Sequence, residues 1–259
     1  MKNIQIRILN PDAIYDAERA MQAAATLTQK GEKITSLEDF DKIYYRDLDN
    51  KFLERLCSLP HPTLQKLGAV NVIVIGLSRR ALGQITRHQN EVKFMSSSLQ
   101  YSNYSGSQRF VIPPGLSTRE RLALEHYYKE CAEAYDAFIE AGLTPDQAGY
   151  TMPQALRGVL MISATPYQWK HMIGQRTCKR NTPEVRYIFL KIRDLLCDEA
   201  PELFTWSGPG CYKNRCLEGS MSCGSPVKMM KDELEVLENE DYNHKLLRPH
   251  LNTTNQKAL

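Results

Sequence analysis

The sequence predicts a mixed α/β fold, and three observations carry that expectation. The opening run Met1-Lys2-Asn3-Ile4-Gln5-Ile6-Arg7-Ile8-Leu9 alternates polar and apolar residues, the period of a strand. Val70-Asn71-Val72-Ile73-Val74-Ile75-Gly76 is a β-branched run of the kind that forms a buried strand. Ser117-Thr118-Arg119-Glu120 is a capping box, which opens a long helix. Strands and helices therefore share one chain of 259 residues, enough for one large core.

After the first strand, residues 11–29 read as a helix, with Pro-Asp at its start and Ala, Met and Leu within it. A polar connector leads to residues 48–59, where Phe52, Leu53, Leu56 and Leu59 recur at a helical period until Pro60 stops it. The strand from Val70 is expected to end in a tight turn at Gly76, after which Ser78 caps a polar helix. Residues 92–104 mix β-formers with serines, and Phe110-Val111-Ile112 reads as a short strand ended by Pro113-Pro114-Gly115. The capping-box helix carries the stripe Leu124, Tyr128, Cys131, Tyr135 and Phe138 and ends at Gly142. Residues 156–164 are either a strand or a buried helical turn. Pro166 starts a helix running to Arg176. Thr182-Pro183-Glu184 starts another, with Thr182 as cap and Ile188, Ile192, Leu195 and Leu196 as its stripe. Beyond Pro201 the chain turns to Gly, Cys, Ser and short polar runs, and its last dozen residues are expected to be loosely ordered.

Composition narrows the function. With 42% hydrophobic and 24% charged residues, and no apolar run near the roughly 18 residues that a membrane span needs, no membrane partner is expected. The first residues lack the features of a signal peptide, so the expected location is the cytoplasm. Seven cysteines fit reduced thiols better than a fully paired framework. A net charge of +3 is too small to argue for nucleic acid as a partner. Between Arg157 and Arg193, however, Arg157, Lys170, Arg176, Lys179, Arg180, Arg186, Lys191 and Arg193 face a single acid, Glu184. That is either a region suited to a phosphorylated ligand or a solvated basic face. Cys211, Cys216 and Cys223, with Cys178 upstream, are spaced more widely than a zinc knuckle, and no metal is expected. Neither a Gly-x-Ser-x-Gly elbow, a P-loop nor a dinucleotide fingerprint is present.

The run richest in chemistry is Ser78-Arg79-Arg80-Ala81-Leu82-Gly83-Gln84-Ile85-Thr86-Arg87-His88-Gln89. Read as a helix, it sets Gln84, Arg87 and His88 on one face. An amide, a guanidinium fork and an imidazole facing one way suit an anionic heteroaromatic ligand. The competing reading is a solvated helix face with an incidental Arg-His pair.

The order His61-x-Thr63, Ser78-Arg79, Gln84-x-x-Arg87-His88, then a Ser and a Tyr, then Arg176 with Glu184 eight residues on, resembles the flavin-dependent thymidylate synthases from about His61 to Arg186. That family's signature is Arg-His-Arg, seven residues, then Ser. The resemblance implies an α+β fold with a central antiparallel sheet flanked by helices, and a homotetramer with flavin at the subunit junctions. Residues 1–205 would form the catalytic domain and 206–259 a Cys/Gly-rich loop and tail. The implied reaction is reductive methylation of dUMP to dTMP. Methylenetetrahydrofolate would supply the carbon, and NADPH the hydride by way of FAD. Carried over by position, Gln84, Arg87, Ser98, Gln100 and Arg176 fall on the dUMP side, with Arg176 and Ser98 as the catalytic pair. Arg87, His88, Gln89 and His171 fall on the flavin side, and Arg79 stands behind them.

The chain departs from the family pattern in several places. Gln89 replaces the third signature residue, Arg, and Gln100 and Gly149 stand where substrate arginines are usual. Reaching Ser98 takes one extra residue; otherwise Ser97 is the signature serine. Leu67 replaces a His, and Thr165 and Tyr167 replace an Asn and an Arg on the flavin side. Two other readings stay open. One is a related flavoenzyme modifying C5 of another pyrimidine nucleotide, for example by hydroxymethylation. The other is a non-catalytic protein that binds nucleotide or nucleic acid.

Overall fold

A computed structural model describes residues 3–239. Its centre is a four-stranded sheet of β1 (Gln5–Ile8), β2 (Val70–Ser78), β3 (Val92–Ser96) and β4 (Arg157–Ala164), in the order β1-β2-β4-β3. Every neighbouring pair is antiparallel. Residues 156–164 thus resolve as a strand, and the sheet expected from the family resemblance is present.

Alternation sets the two faces of the sheet. Val70, Val72 and Val74 of β2 and Leu160 and Ile162 of β4 are buried on the core side. On the other side the register aligns Ile75 with Val159, and Met161 with both Ile73 and Met95. There Ile75, Met95, Val159 and Met161 are exposed, a row of apolar side chains that no described element covers.

The tight turn expected at Gly76 does not form. Gly76 has φ +87°, and the β2–β4 register shifts between Ile75 and Leu77, so the residue makes a bulge and pairing continues to Ser78. A helix then begins at Arg79 with no intervening turn. Ser78 caps it as expected, its Oγ accepting from Ala81 N at 3.0 Å.

The helices are α1 (Asp12–Lys30), α2 (Leu37–Tyr44), α3 (Asn50–Ser58), α4 (Arg79–Ile85), α5 (Thr118–Glu140), α6 (Pro145–Ala148), α7 (Pro166–Arg176), α8 (Pro183–Glu199), α9 (Pro201–Phe204), α10 (Gly210–Lys213) and α11 (Met230–Glu238). The polar connector after α1 therefore contains α2, whose N-cap Ser36 accepts from Asp39 N. The capping box at Ser117 and Glu120 forms, and α5 ends just before Gly142, at φ +90°. Of its stripe only Tyr128 and Tyr135 are buried, while Phe138 is exposed. Phe110-Val111-Ile112 is not a strand: Phe110 makes one isolated bridge to Leu156, and the prolines that follow prevent more.

Helix α8 is the spine of the core. Val185, Ile188, Phe189, Ile192 and Leu196 are fully buried, and the helix packs against β1, β2, α4, α7, α9 and α11. Thr182 holds the backbone position of an N-cap, but its hydroxyl does not cap the helix; it donates to Gln84 Oε1 at 3.1 Å. Past Pro201 the sequence looks polar, yet Val227, Met230, Leu234 and Leu237 join the core cluster. The dozen C-terminal residues expected to be loosely ordered lie outside the described residues.

The run of basic residues from Arg157 to Arg193 is not an open positive face. Lys179 and Arg186 pair with Glu233 at 2.8 and 2.6 Å, Lys191 with Glu238 at 2.6 Å, and Arg180 with Glu218 at 3.6 Å. Arg193 donates to the carbonyls of Ser207 and Thr205. The segment after residue 202 thus supplies acidic partners to four of these eight residues.

Candidate functional site

The expected helix face is split in two by the end of α4 at Ile85. Arg80, Gln84 and Arg87, spaced four and three apart, line one side of a cleft of about 410 Å³, with Arg79 beside them and Leu99, Met152 and Gln154 opposite. His88 lies beyond the helix end and turns the other way, into the protein, where it is 7% exposed. Thr86 closes the last turn on Leu82 O, and the chain then leaves the helical path.

The start of α4 is pinned to the segment before β4. Arg79 N donates to Leu156 O and Arg80 N to Gln154 O, at 3.0 and 2.9 Å. Glu184 fixes the same corner from α8, accepting from Ser78 N at 2.6 Å and from Ser78 Oγ at 2.7 Å. Burial raises the Glu184 carboxyl above the usual range, against the pull of these two bonds. Glu184 is thus a buried brace for α4, a role that its place in the sequence pattern does not reveal.

In the cleft the side chains of Arg79, Arg80 and Arg87 make no hydrogen bond or salt bridge among the described residues, and no carboxylate lines it. Unpaired guanidinium groups around a concave surface form an anion site by charge alone. Gln84 joins the cleft to the interior. Its Oε1 accepts from Thr182, its backbone O accepts from Arg176 Nη2 at 2.7 Å, and its amide nitrogen keeps both N–H donors.

Behind Gln84, Arg176 at the end of α7 donates from Nε to His88 Nε2 at 2.8 Å and from Nη1 to Asn181 Oδ1 at 3.3 Å. Burial, then the Arg176 charge, then His171 push His88 down to about 4, so it is neutral at pH 7 with a lone pair to accept this bond. Burial and the neighbouring Arg87 lower Arg176 as well. Its bonds use three of the five N–H donors of a guanidinium and leave two.

His171 stands edge-on to His88, ring centroids 5.8 Å apart. It also borders a second cavity, about 640 Å³, with Tyr167, Trp206, Lys170 and the Pro60 and Pro62 that flank His61. His88, His171, Gln84, Arg87 and Arg176 therefore form one continuous set, and Gln89 is exposed at its edge.

The two candidate serines differ in their bonding. Ser97 Oγ accepts from Val159 N at 3.1 Å, which commits it to the strand edge. Ser98 Oγ accepts from Gln100 N at 3.0 Å and is adjacent to the cleft residue Leu99. Gln100 is exposed and sends no side-chain bond into the cleft. Arg80, Leu99 and Gln154 are cleft residues that reasoning from the sequence misses; only the spacing of Arg80 from Gln84 signals one of them. All seven cysteines are free. Among the described residues no three His, Cys, Asp or Glu side chains gather as a metal site.

Comparison with known proteins gives this arrangement a family. The sequence model described as thymidylate synthase complementing protein matches residues 12–202. The flavin-dependent thymidylate synthase of Geobacter sulfurreducens is 28% identical over 226 residues, 85% of this chain and 96% of that protein. That of Clostridium tetani is 25% identical over 250 residues, 89% and 98% of the two. Among solved structures, thymidylate synthase X of Helicobacter pylori with FAD and dUMP superposes with a TM-score of 0.58 at 19% identity, covering 78% of this chain and 97% of that one. The UMP/dUMP methylase of Streptomyces cacaoi bound with 5-Br dUMP gives 0.59 at 12% identity, covering 78% and 93%. The family model spans about three quarters of the chain, and the chain belongs to the thymidylate synthase complementing protein family, that of the flavin-dependent thymidylate synthases.

Proposed function

We propose that this protein is an FAD-dependent thymidylate synthase that methylates dUMP at C5 to give dTMP, with methylenetetrahydrofolate as carbon donor and NADPH as reductant. The observation that carries the reading is the junction at Gln84, where an anion cleft meets the half-buried His88–Arg176 pair. A nucleotide monophosphate has the two parts such a junction fits, a phosphate and a ring with developing negative charge.

The donor set also suits FAD. The unpaired Arg87 guanidinium matches its diphosphate, and the cavity bordered by Tyr167, Trp206 and His171 offers walls for an aromatic ring system. Arg87, His88, Gln89 and His171 would hold the flavin, which when bound supplies the hydride chemistry that side chains lack. The remaining work belongs to this chain. Gln84 and Arg87 bind and orient the nucleotide, with Ser98 and Gln100 at the rim. Neutral His88 fixes the plane of Arg176, whose two spare N–H donors stabilise charge building on the pyrimidine oxygens without reorganising.

The reading includes a homotetramer, supported by the apolar row Ile75, Met95, Val159 and Met161 on the open sheet face, a surface of the kind that marks interfaces. It also places the enzyme in the cytoplasm, on the free thiols. The test is direct: purified protein releases FAD on denaturation at close to one per chain, and binds dUMP by calorimetry. A colourless preparation that also refuses added FAD defeats the proposal.

A further inference from the structure

We propose that Arg80 is the phosphate anchor of this enzyme, a binding residue whose charge sets its preference for nucleotide over nucleoside; the inference rests on the dUMP reading above. Arg80 projects from the first turn of α4 on the face that carries Gln84, and both line the same cleft as Arg87, just past the helix end. It is exposed and has no hydrogen bond or salt bridge among the described residues. Glu184, the carboxylate of the neighbouring apolar cavity that Arg80 also borders, is bonded through both oxygens to Ser78 and forms no salt bridge with it.

The opposite wall of the cleft explains why the cation must come from α4. A Cβ built at Gly149 lies 3.3 Å from Leu99 Cβ and within 4 Å of both Leu99 methyl carbons, so Leu99 fills the space that a side chain at 149 needs. Leu99, Met152 and Gln154 then present an uncharged wall, and Gln100 is outside. Any anion entering meets charge from one side only, where Arg80 and Arg87 flank Gln84 and its free amide N–H groups. Arg176 is half-buried behind Gln84 and tied to His88, which keeps it for the ring. Arg87 is shared with the flavin side and Arg79 is only half-exposed, which leaves Arg80, the exposed arginine of the first turn, for the phosphate.

The experiment compares dUMP with deoxyuridine, which lacks the phosphate, by calorimetric titration of the FAD-loaded protein and its Arg80→Ala and Arg80→Lys variants. Loss of one charge-assisted contact should weaken dUMP by roughly ten- to a hundredfold in Arg80→Ala. Deoxyuridine affinity and FAD content should stay as in the parent, and Arg80→Lys should recover most of the dUMP affinity. If both ligands weaken together, Arg80 acts through the shape of the cleft; if neither changes, the phosphate lies elsewhere. Either result overturns the assignment. A parent protein that binds FAD but not dUMP overturns the dUMP reading and this inference with it. Weakening of dUMP alone upholds both.

Discussion

Arg176 and His88, 88 residues apart in sequence, are joined by a 2.8 Å bond in which the guanidinium Nε donates to a neutral imidazole. The pair ties the end of α7 to the loop after α4, and Gln84 O completes the clamp. In this arrangement the imidazole serves first as an acceptor that orients an arginine.

Arg176→Ala should therefore do two separable things. It leaves His88 Nε2 and Gln84 O without their donor, at about 1–3 kcal/mol for the buried imidazole, so the melting temperature falls. It also removes the charge that opposes protonation of His88, whose pKa should rise when followed by NMR. Nucleotide affinity should drop by at least about a hundredfold, since loss of a buried charged partner costs roughly 3–5 kcal/mol, while FAD content changes little. Loss of FAD with dUMP affinity kept would put Arg176 on the cofactor side.

Acid and base stability carry opposite signs from two buried groups. His88 is pushed down from 6.5 to about 4, so between those values the unfolded chain binds a proton that the fold refuses, and stability falls as the pH drops. Glu18 is pushed up from 4.5 to about 7 by burial and then by Glu202, and its Oε1 is buried with no hydrogen-bond partner. Through that window the fold keeps a proton that the unfolded chain has released, so stability falls as the pH rises. The two slopes oppose each other between 4.5 and 6.5. Glu18→Gln removes one of them: denaturant melts should show a gain of about 1–3 kcal/mol at pH 8 and a steeper loss toward acid. A variant less stable than the parent at pH 8 would contradict this assignment.

Much of the fold and of the site is legible in the sequence. Ser78 and Ser117 act as the caps their spacing announces, α7 runs from Pro166 to Arg176 as the proline and the periodicity indicate, and the family pattern points to the residues that meet at Gln84. What the sequence hides is governed by long-range contact. Nothing local separates a glycine that turns the chain from Gly76, which bulges a strand because β4 continues to pair beyond it. Charge counting along residues 157–193 leaves a ligand region or a solvated basic face open, but Glu218, Glu233 and Glu238, distant in sequence, pair with four of the eight cations. His88 leaves the expected face because α4 stops at Ile85 and burial draws the ring inward.

Gly76→Ala tests the bulge itself. A Cβ there would sit 2.8 Å from Asn3 O at a backbone φ of +87°, so both the contact and the conformation oppose it. The expected cost is at least about 1–2 kcal/mol, read as a lower denaturation midpoint. Because Ser78 and α4 follow directly, dUMP affinity should also weaken. Unchanged stability would mean that the strand passes residue 76 without the bulge.

The docking of α11 can be measured through Arg186. Its side chain is 2% exposed, its Nε has no partner, and Glu233 on α11 accepts from its Nη2 at 2.6 Å while also holding Lys179 at 2.8 Å. Burial lowers the Arg186 pKa and Glu233 opposes that shift, which marks a charge that folding tolerates only with its partner. Removing one member of such a pair costs roughly 3–5 kcal/mol, whereas replacing both by apolar residues of similar volume is often neutral or stabilising. Glu233→Gln should accordingly lower the melting temperature sharply, and Arg186→Met combined with Glu233→Leu should recover most of that loss. Lys179 sits in the turn that follows Arg176, so detachment of α11 should also loosen the Arg176 clamp and raise the Kd for dUMP. If Glu233→Gln melts with the parent protein, the pair is open to water in solution and α11 is held by its remaining contacts, among them Met230, Leu234 and Leu237 and the Lys191–Glu238 pair.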